Sequence, residues 1–204
     1  MSYRDLLVKL GDTTSEKVLN IYRLMDAGDI TRFDAIALMS TLIGKSQAKA
    51  IALAETSLAA ELTLASLEPV PVVATPIKPD TTAVRGAVIT TLGTAKSTPD
   101  IEARLERVVR GITYKAATDA YSHGVSRSKR VKGWTRDLEP GACEMCVWWW
   151  REGRTWPKEH PMPTHTGCTC SPKPVLSDYI QSTGKTRAMS GEVQARKQKI
   201  QPVL

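Results

Sequence analysis

The chain of 204 residues has few large aromatic side chains and no long apolar run. Aromatic residues make up 5% of the sequence, and phenylalanine occurs once. No apolar stretch approaches the ~20 residues that a membrane-spanning helix needs, so we expect no membrane association. The hydrophobic fraction of 42% must therefore be built mainly from Ala, Leu, Ile and Val, which suits a helical core.

A secretory signal is also missing from the amino end. Residues 1–5 (MSYRD) are followed by a mixed polar segment without the apolar centre of a signal peptide. In a reducing compartment, paired cysteines are more often metal ligands or redox groups than structural disulfides. We therefore expect reduced thiols.

Residues that could carry catalysis are scarce. The chain has three histidines, and a zinc deaminase would need an H-x-E motif upstream of its cysteines, whereas Gly124 and Val125 follow His123. Glu159 and His160 suggest a metal-dependent nuclease with a histidine base, but prolines surround them and no second carboxylate cluster is evident. We predict that the chain is not an enzyme, with the nuclease kept as an alternative.

What the sequence does contain is a dense set of metal ligands. A C-x-x-C pair is followed, after eighteen residues, by an H-x-x-C-x-C motif, so the candidate ligands are Cys143, Cys146, His165, Cys168 and Cys170. Thiolate and imidazole are the ligands of tetrahedral Zn²⁺, and two close-spaced pairs joined by a loop are typical of structural zinc sites. The pattern predicts a structural Zn²⁺ and a knuckle-like module.

Five candidates compete for four coordination positions. Cys143, Cys146 and His165 fit the spacing best, whereas Cys168 and Cys170 contest the fourth position because a C-x-C pair on an extended segment points both side chains to one face. Both could bind if His165 lay outside the site. Because such sites contribute ~10–16 kcal/mol of apparent binding free energy, loss of the metal should unfold this region.

All five tryptophans lie near these motifs. Trp148, Trp149 and Trp150 are consecutive, and Trp134 and Trp156 flank them. Three consecutive indoles cannot all face one small core, so at least one should be exposed. They could pad the metal site, or they could form a patch that contacts a partner protein.

The net charge of +7 is unevenly distributed. Residues 1–70 contain seven Lys or Arg and nine Asp or Glu, whereas the other 134 residues contain 21 and 12. The clearest basic run supplies Arg127, Lys129, Arg130 and Lys132, which we consider candidates for sequence-independent contact with nucleic-acid phosphates. A solvated basic surface without such a role is the alternative.

Helical periodicity dominates outside this module. Thr13 and Glu16 suggest a capping box at the start of a first helix, and Thr31 should begin a second helix, which Gly44 could interrupt. Four prolines between residues 67 and 97 favour an extended linker. A further helix should start at residues 98–100 (TPD) and end near Gly124.

These signals divide the chain into four parts. Residues 1–66 form a helical hairpin, residues 67–97 a Pro-rich linker, residues 98–175 a long helix with a short strand and zinc knuckle, and residues 176–204 a basic tail with a short helix. Pro172 and Pro174 should end regular pairing after the last cysteine. The predicted fold class is mainly α, with a small α+β zinc-binding module and two halves that the linker lets reorient.

The second half resembles a known family of phage proteins. Residues 131–138 (VKGWTRDL), 141–146 (GACEMC), 153–156 (GRTW) and 163–170 (PTHTGCTC) follow the order of motifs at the end of the phage Mu F-like head morphogenesis family. The resemblance covers roughly residues 100–175. It implies a helix leading into a strand, a C-x-x-C, a variable loop and a terminal H-x-x-C-x-C.

The resemblance implies a function that composition does not. It suggests a minor capsid protein of a tailed bacteriophage that contacts the portal protein and the major capsid protein at the portal vertex. Such a protein would lie inside the head of the virion, and in the host cytoplasm during assembly, and would assist assembly and DNA packaging or delivery. The alternative is a zinc-dependent nucleic-acid-binding protein that uses its basic half.

Overall fold

The computed structural model describes residues 2–176, which form five α-helices and a small antiparallel sheet. The elements in chain order are α1 (Tyr3–Asp26), α2 (Arg32–Ser66), α3 (Thr81–Thr94), α4 (Thr98–Arg127), β1 (Gly133–Asp137), α5 (Glu144–Trp150), a 3₁₀ turn (Arg151–Gly153), β2 (Trp156–Pro157) and β3 (Ser171–Val175). The predicted fold class, mainly α with a small α+β module, is confirmed.

Helix α1 begins eleven residues earlier than the predicted capping box indicated. Ser2 is its N-cap, and the Ser2 and Asp5 side chains accept hydrogen bonds from each other's backbone N–H. The predicted capping box at Thr13 and Glu16 is wrong, because these residues lie inside the helix. The prediction failed because Gly11, which weakens a helix locally, here gives space for Tyr114 of α4.

Helix α2 starts and ends where expected, but it is continuous. Thr31 caps it by accepting from the Asp34 N–H. Gly44 does not interrupt it, and the helix runs to Ser66 and ends at Leu67, which has a positive φ of 57°. Gly44 is buried within this helix, and a Cβ added there would lie 3.9 Å from the Thr81 side chain, an ordinary contact distance.

Part of the predicted linker is helical. Residues 81–94 form α3, which Asp80 caps by accepting from the Ala83 N–H. The prolines that suggested an extended linker all precede Asp80, and after them a buried stripe at helical spacing packs against the bundle: Val84, Val88 and Leu92. The non-helical parts of the predicted linker are thus residues 67–80 and 95–97.

Helices α1, α2 and α4 form one bundle. Contacts of α1 with α4 (Arg23–Glu102 and Arg110–Asp12) show that the two are antiparallel. A chain of buried hydroxyls joins all three helices, because Thr14 donates to Ser46 at 3.1 Å and Ser46 lies 3.0 Å from the Thr113 hydroxyl. The two predicted halves are therefore packed together through α4 and are not independent units.

The sheet has the order β2-β1-β3, with both pairings antiparallel. Contrary to the prediction, Pro172 and Pro174 lie within β3, where they pair with Arg136 and Trp134 of β1. A proline lacks an N–H, and an edge strand tolerates this because one of its sides has no ladder partner.

The sheet packs on the carboxyl-terminal half of α4. Trp134 and Trp156 share a core with Tyr121 and Val125 of α4, as expected for a helix that packs on the following strand. Helix α4 itself continues past Gly124 to Arg127. The predicted short helix and tail at residues 177–204 lie outside the described residues. No helix within residues 2–176 combines the length and apolarity needed to cross a bilayer.

Candidate metal centre

Two chain segments deliver the five candidate ligands to one place. Cys143 is the N-cap of α5 and Cys146 lies in its first turn, after a tight turn at Gly141, whose φ is 72°. The segment 165–170 lies directly before β3, and β3 pairs with β1, which leads into α5. Sheet pairing therefore places both motifs at the same edge of the module.

Distances between ligand atoms define the centre. The His165 Nε2 lies 3.2 Å from the Cys143 Sγ and 3.1 Å from the Cys146 Sγ. The Sγ atoms of Cys146 and Cys168 are 3.5 Å apart. These donor atoms lie close enough to one another to hold a metal ion.

The five candidates fall into two overlapping groups. One group holds Cys143, Cys146 and His165, and the other holds Cys146, Cys168, Cys170 and the Glu139 carboxylate, with the donor atoms of each group within 4.8 Å of one another. Cys146 belongs to both groups and is fully buried. It is therefore the centre of the cluster.

The histidine is oriented for metal binding. The His165 Nδ1 lies 3.1 Å from the Thr166 carbonyl oxygen. A carbonyl oxygen can only accept, so Nδ1 carries the proton and Nε2 presents its lone pair to the two sulfurs. This backbone contact is the kind of outer-shell hydrogen bond that fixes metal-ligating histidines.

The thiols differ in acidity. Burial raises the pKa of Cys146 to about 12. The hydrogen bond between Cys168 and Cys170 raises the pKa of the Cys168 thiol and lowers that of Cys170 to about 5, so the proton of this pair stays on Cys168. A metal ion that binds Cys146 and Cys168 must therefore displace protons at neutral pH.

Two residues that the sequence did not single out complete the surroundings. The Arg136 guanidinium, of which 2% is exposed, donates from Nη1 to the sulfurs of Cys146 (3.7 Å) and Cys168 (3.9 Å). The Glu139 backbone N–H donates to the Cys170 sulfur at 3.4 Å, and its carboxylate accepts from the backbone N–H of Thr169 at 3.1 Å. The burial of Arg136 could have been inferred, because it lies two residues after Trp134 and therefore on the same face of β1.

The five tryptophans lie in different environments. Trp134 and Trp156 stack with ring centroids 6.0 Å apart in the core. Trp149 is half-buried, with its ring 5.2 Å from the Arg136 guanidinium and 6.3 Å from the His165 ring. Trp148 has 59% of its surface exposed, which confirms that at least one indole faces solvent. The Trp150 ring lies near Gly153.

The basic residues lie at and beyond the end of α4. Arg127, Lys129, Arg130 and Lys132 are exposed. Arg130 forms an ion pair with Glu68 at 2.6 Å, which offsets part of the charge. Contact between these residues and nucleic acid stays a prediction, as does contact between Trp148, Trp149 or Trp150 and a partner. Away from this surface, the ring of His160 packs 4.8 Å from that of Trp156.

Comparison with known proteins gives no relative. No family model, curated protein or solved structure matches the chain. The findings on function are thus those of the site itself: a Cys/His cluster whose atoms lie close enough to hold one metal ion.

Proposed function

We propose that the chain is a structural minor capsid protein of a tailed bacteriophage, with a Zn²⁺ that stabilises its carboxyl-proximal module. In this role it associates with the portal vertex inside the head and assists capsid assembly and DNA packaging or delivery. The order of motifs in residues 131–170, which resembles the phage Mu F-like family, supports the biological assignment.

The observation that carries the structural role is the excess of ligands at the centre. Catalytic zinc sites keep a coordination position for water or substrate, whereas structural sites fill all four with protein atoms. Five Cys or His donors surround this site, and Cys146, Cys168 and Cys170 are buried. A fully coordinated ion that joins α5 to the segment before β3 suits scaffolding and supports a non-enzymatic function.

The surface of α5 supports contact with a partner. Met145, Val147 and Trp148 are each 45–59% exposed on this short helix, which the metal site anchors. The Arg151 guanidinium lies 4.1 Å from the centroid of the Trp148 ring. An aromatic and an arginine together are typical anchors of protein interfaces, and we assign this surface to the portal or major capsid protein.

Co-expression with a phage portal protein tests the proposal. The full chain should co-purify with the portal ring and occupy the portal vertex in images of assembled heads, and Trp148→Ala should weaken this association. Trp156→Phe, a conservative change in the core, is the control for general loss of folding. A chain that binds stoichiometric Zn²⁺ but is found away from the portal vertex would contradict the capsid role and leave the metal centre intact.

Nucleic-acid binding is the second candidate, favoured by the exposed cations Arg127 and Lys129. If phosphate contacts drive binding, the logarithm of the affinity for duplex DNA should fall with the logarithm of salt concentration, by about 0.9 per phosphate contacted. Replacing Arg127 and Lys129 with Gln should flatten this slope. An affinity that does not change with salt would reject this candidate.

A further inference from the structure

The buried arginine beside the cluster poses an electrostatic question. Arg136 is 2% exposed, and within residues 2–176 it forms no ion pair with an Asp or Glu. A guanidinium stays charged in proteins, and burying it without an anion is strongly unfavourable. Some other group must supply negative charge.

The thiol sulfurs are the groups positioned to do so. One edge of the guanidinium faces Cys146 and Cys168 through Nη1, at 3.7 and 3.9 Å. Its Nη2 donates to the Pro163 carbonyl oxygen, and its face packs on Trp149 at 5.2 Å. The carbonyl and the indole orient the cation but carry no full charge, so among its contacts within residues 2–176 only the two sulfurs can become anionic, by losing their protons to a metal ion.

We propose that Arg136 is the internal counter-cation of a metal–thiolate centre. This inference rests on the proposed metal site and deepens it. A Zn²⁺ bound by three thiolates and one neutral imidazole carries one net negative charge, which a single guanidinium neutralises. The guanidinium therefore offsets the net charge of a centre that holds Cys146 and Cys168 as thiolates and His165 as the neutral ligand.

Arg136 acts through the ligands and does not coordinate the metal. Its Nη1 group contacts two sulfurs from different segments: Cys146 from α5 and Cys168 from the turn before β3. Its position on β1 is fixed by pairing with Pro172 of β3. Arg136 is thus a positioning residue that also lowers the electrostatic cost of gathering thiolates in a buried cluster.

The test is the affinity of the full chain for Zn²⁺, measured by competition with a chromophoric chelator. Arg136→Gln should weaken Zn²⁺ binding by about 10- to 100-fold, the usual effect of losing an outer-shell partner. Arg136→Lys, which restores the charge without the planar fork, should recover most of that loss. Arg151→Gln is the matched control, because Arg151 stacks on Trp148 and does not face the sulfurs, and its affinity should be unchanged.

Each outcome decides the proposal. Unchanged affinity in Arg136→Gln overturns it, as does an Arg136→Lys variant no better than Arg136→Gln, because packing would then be the cause. If Arg136→Gln does not fold, Arg136→Lys carries the test: folding with near-natural affinity supports the proposal, and failure to fold or bind overturns it. Absence of Zn²⁺ from the unaltered chain would instead refute the metal centre itself.

Discussion

At the scale of single residues, Cys146 is the point on which the centre depends. It is shared by both groups of donors and contacts His165, Cys168 and the Arg136 guanidinium. Cys170, in contrast, belongs only to the group that also holds Cys168 and Glu139. The contacts at ligand spacing run from Cys143 through His165 and Cys146 to Cys168, so these four are the expected donors.

We therefore predict that Cys146→Ser loses more than about 100-fold in Zn²⁺ affinity, exceeding the effect of an outer-shell change. Cys170→Ser, the matched control, should keep a stoichiometric ion. The Co²⁺-substituted proteins provide the measurement, because sulfur-to-cobalt absorption reports each bound thiolate. Equal loss of this absorption in both variants would place Cys170 among the donors.

The acidity of the thiols leads to a pH prediction. The metal-bound centre holds fewer protons than the metal-free one, because Cys146, with a pKa of about 12, and Cys168, whose pKa is also raised, must both lose theirs. Raising the pH therefore favours binding. The apparent Zn²⁺ affinity should rise at least about 100-fold per pH unit between about pH 6 and 8, because the Cys146 and Cys168 protons contribute tenfold each. Titration at several pH values gives the slope, and a flat profile would contradict the assigned protonation.

The sequence predicted the metal ligands more readily than the residues that surround them. Cys143, Cys146 and His165 follow from spacing because metal coordination restricts which residue types can occur, and in what order. Arg136 could not be identified in the same way, since an arginine on a strand is most often a surface residue. Its position two residues after the buried Trp134, on the same face of β1, was the available sign that it is buried.

At the scale of elements, the close approach of α1 and α4 explains why a glycine lies inside a helix. A glycine is a poor helix residue on its own, yet α1 passes through Gly11 without a break. A Cβ at this position would lie 2.7 Å from the Tyr114 hydroxyl oxygen and 2.8 Å from its Cε1. The glycine thus serves the α1–α4 contact, a long-range requirement that local patterns do not contain.

We predict opposite effects for two glycine substitutions. Gly11→Ala should lower the free energy of unfolding by about 1–3 kcal/mol, because the buried Tyr114 ring must shift. Gly86→Ala, on an exposed face of α3 with nothing within 4 Å of the added atom, should raise it by about 0.5–1 kcal/mol. Urea unfolding of both variants measures the difference. Equal effects would show that α1 and α4 are farther apart than described.

Other elements followed directly from local chemistry. The caps at Thr31 and at the start of α4 were predictable because side-chain oxygens there satisfy backbone N–H groups within three residues. Helix α3 was not predicted, because the four prolines before Asp80 favoured an extended linker over the whole of residues 67–97. Asp80 marked its true start, and the apolar stripe from Val84 to Leu92 marked its buried face.

At the scale of the whole molecule, the tryptophan signal and the helical signal come from different parts of the structure. All five tryptophans lie between residues 134 and 156, whereas α1 to α4 supply most of the helix. Two independent signals therefore distinguish the module from the bundle.

Chelation should separate these signals. We expect a strong chelator to change the tryptophan emission while most of the far-ultraviolet helical signal remains, because the bundle has its own apolar cluster around Val18, Met39 and Leu105. Readdition of Zn²⁺ should restore the emission, and Mg²⁺, which prefers oxygen ligands, should not. Simultaneous loss of both signals would mean that bundle and module unfold as one cooperative unit.

The contact between Arg4 and Asp137 has a consequence for biosynthesis. Arg4 forms an ion pair with a residue 133 positions further along the chain, and it donates to the same residue's carbonyl oxygen. The helical turn that carries Arg4 therefore gains this ion pair only after β1, which is synthesised later, has left the ribosome. Until then its packing depends on the elements that lie between them in the chain.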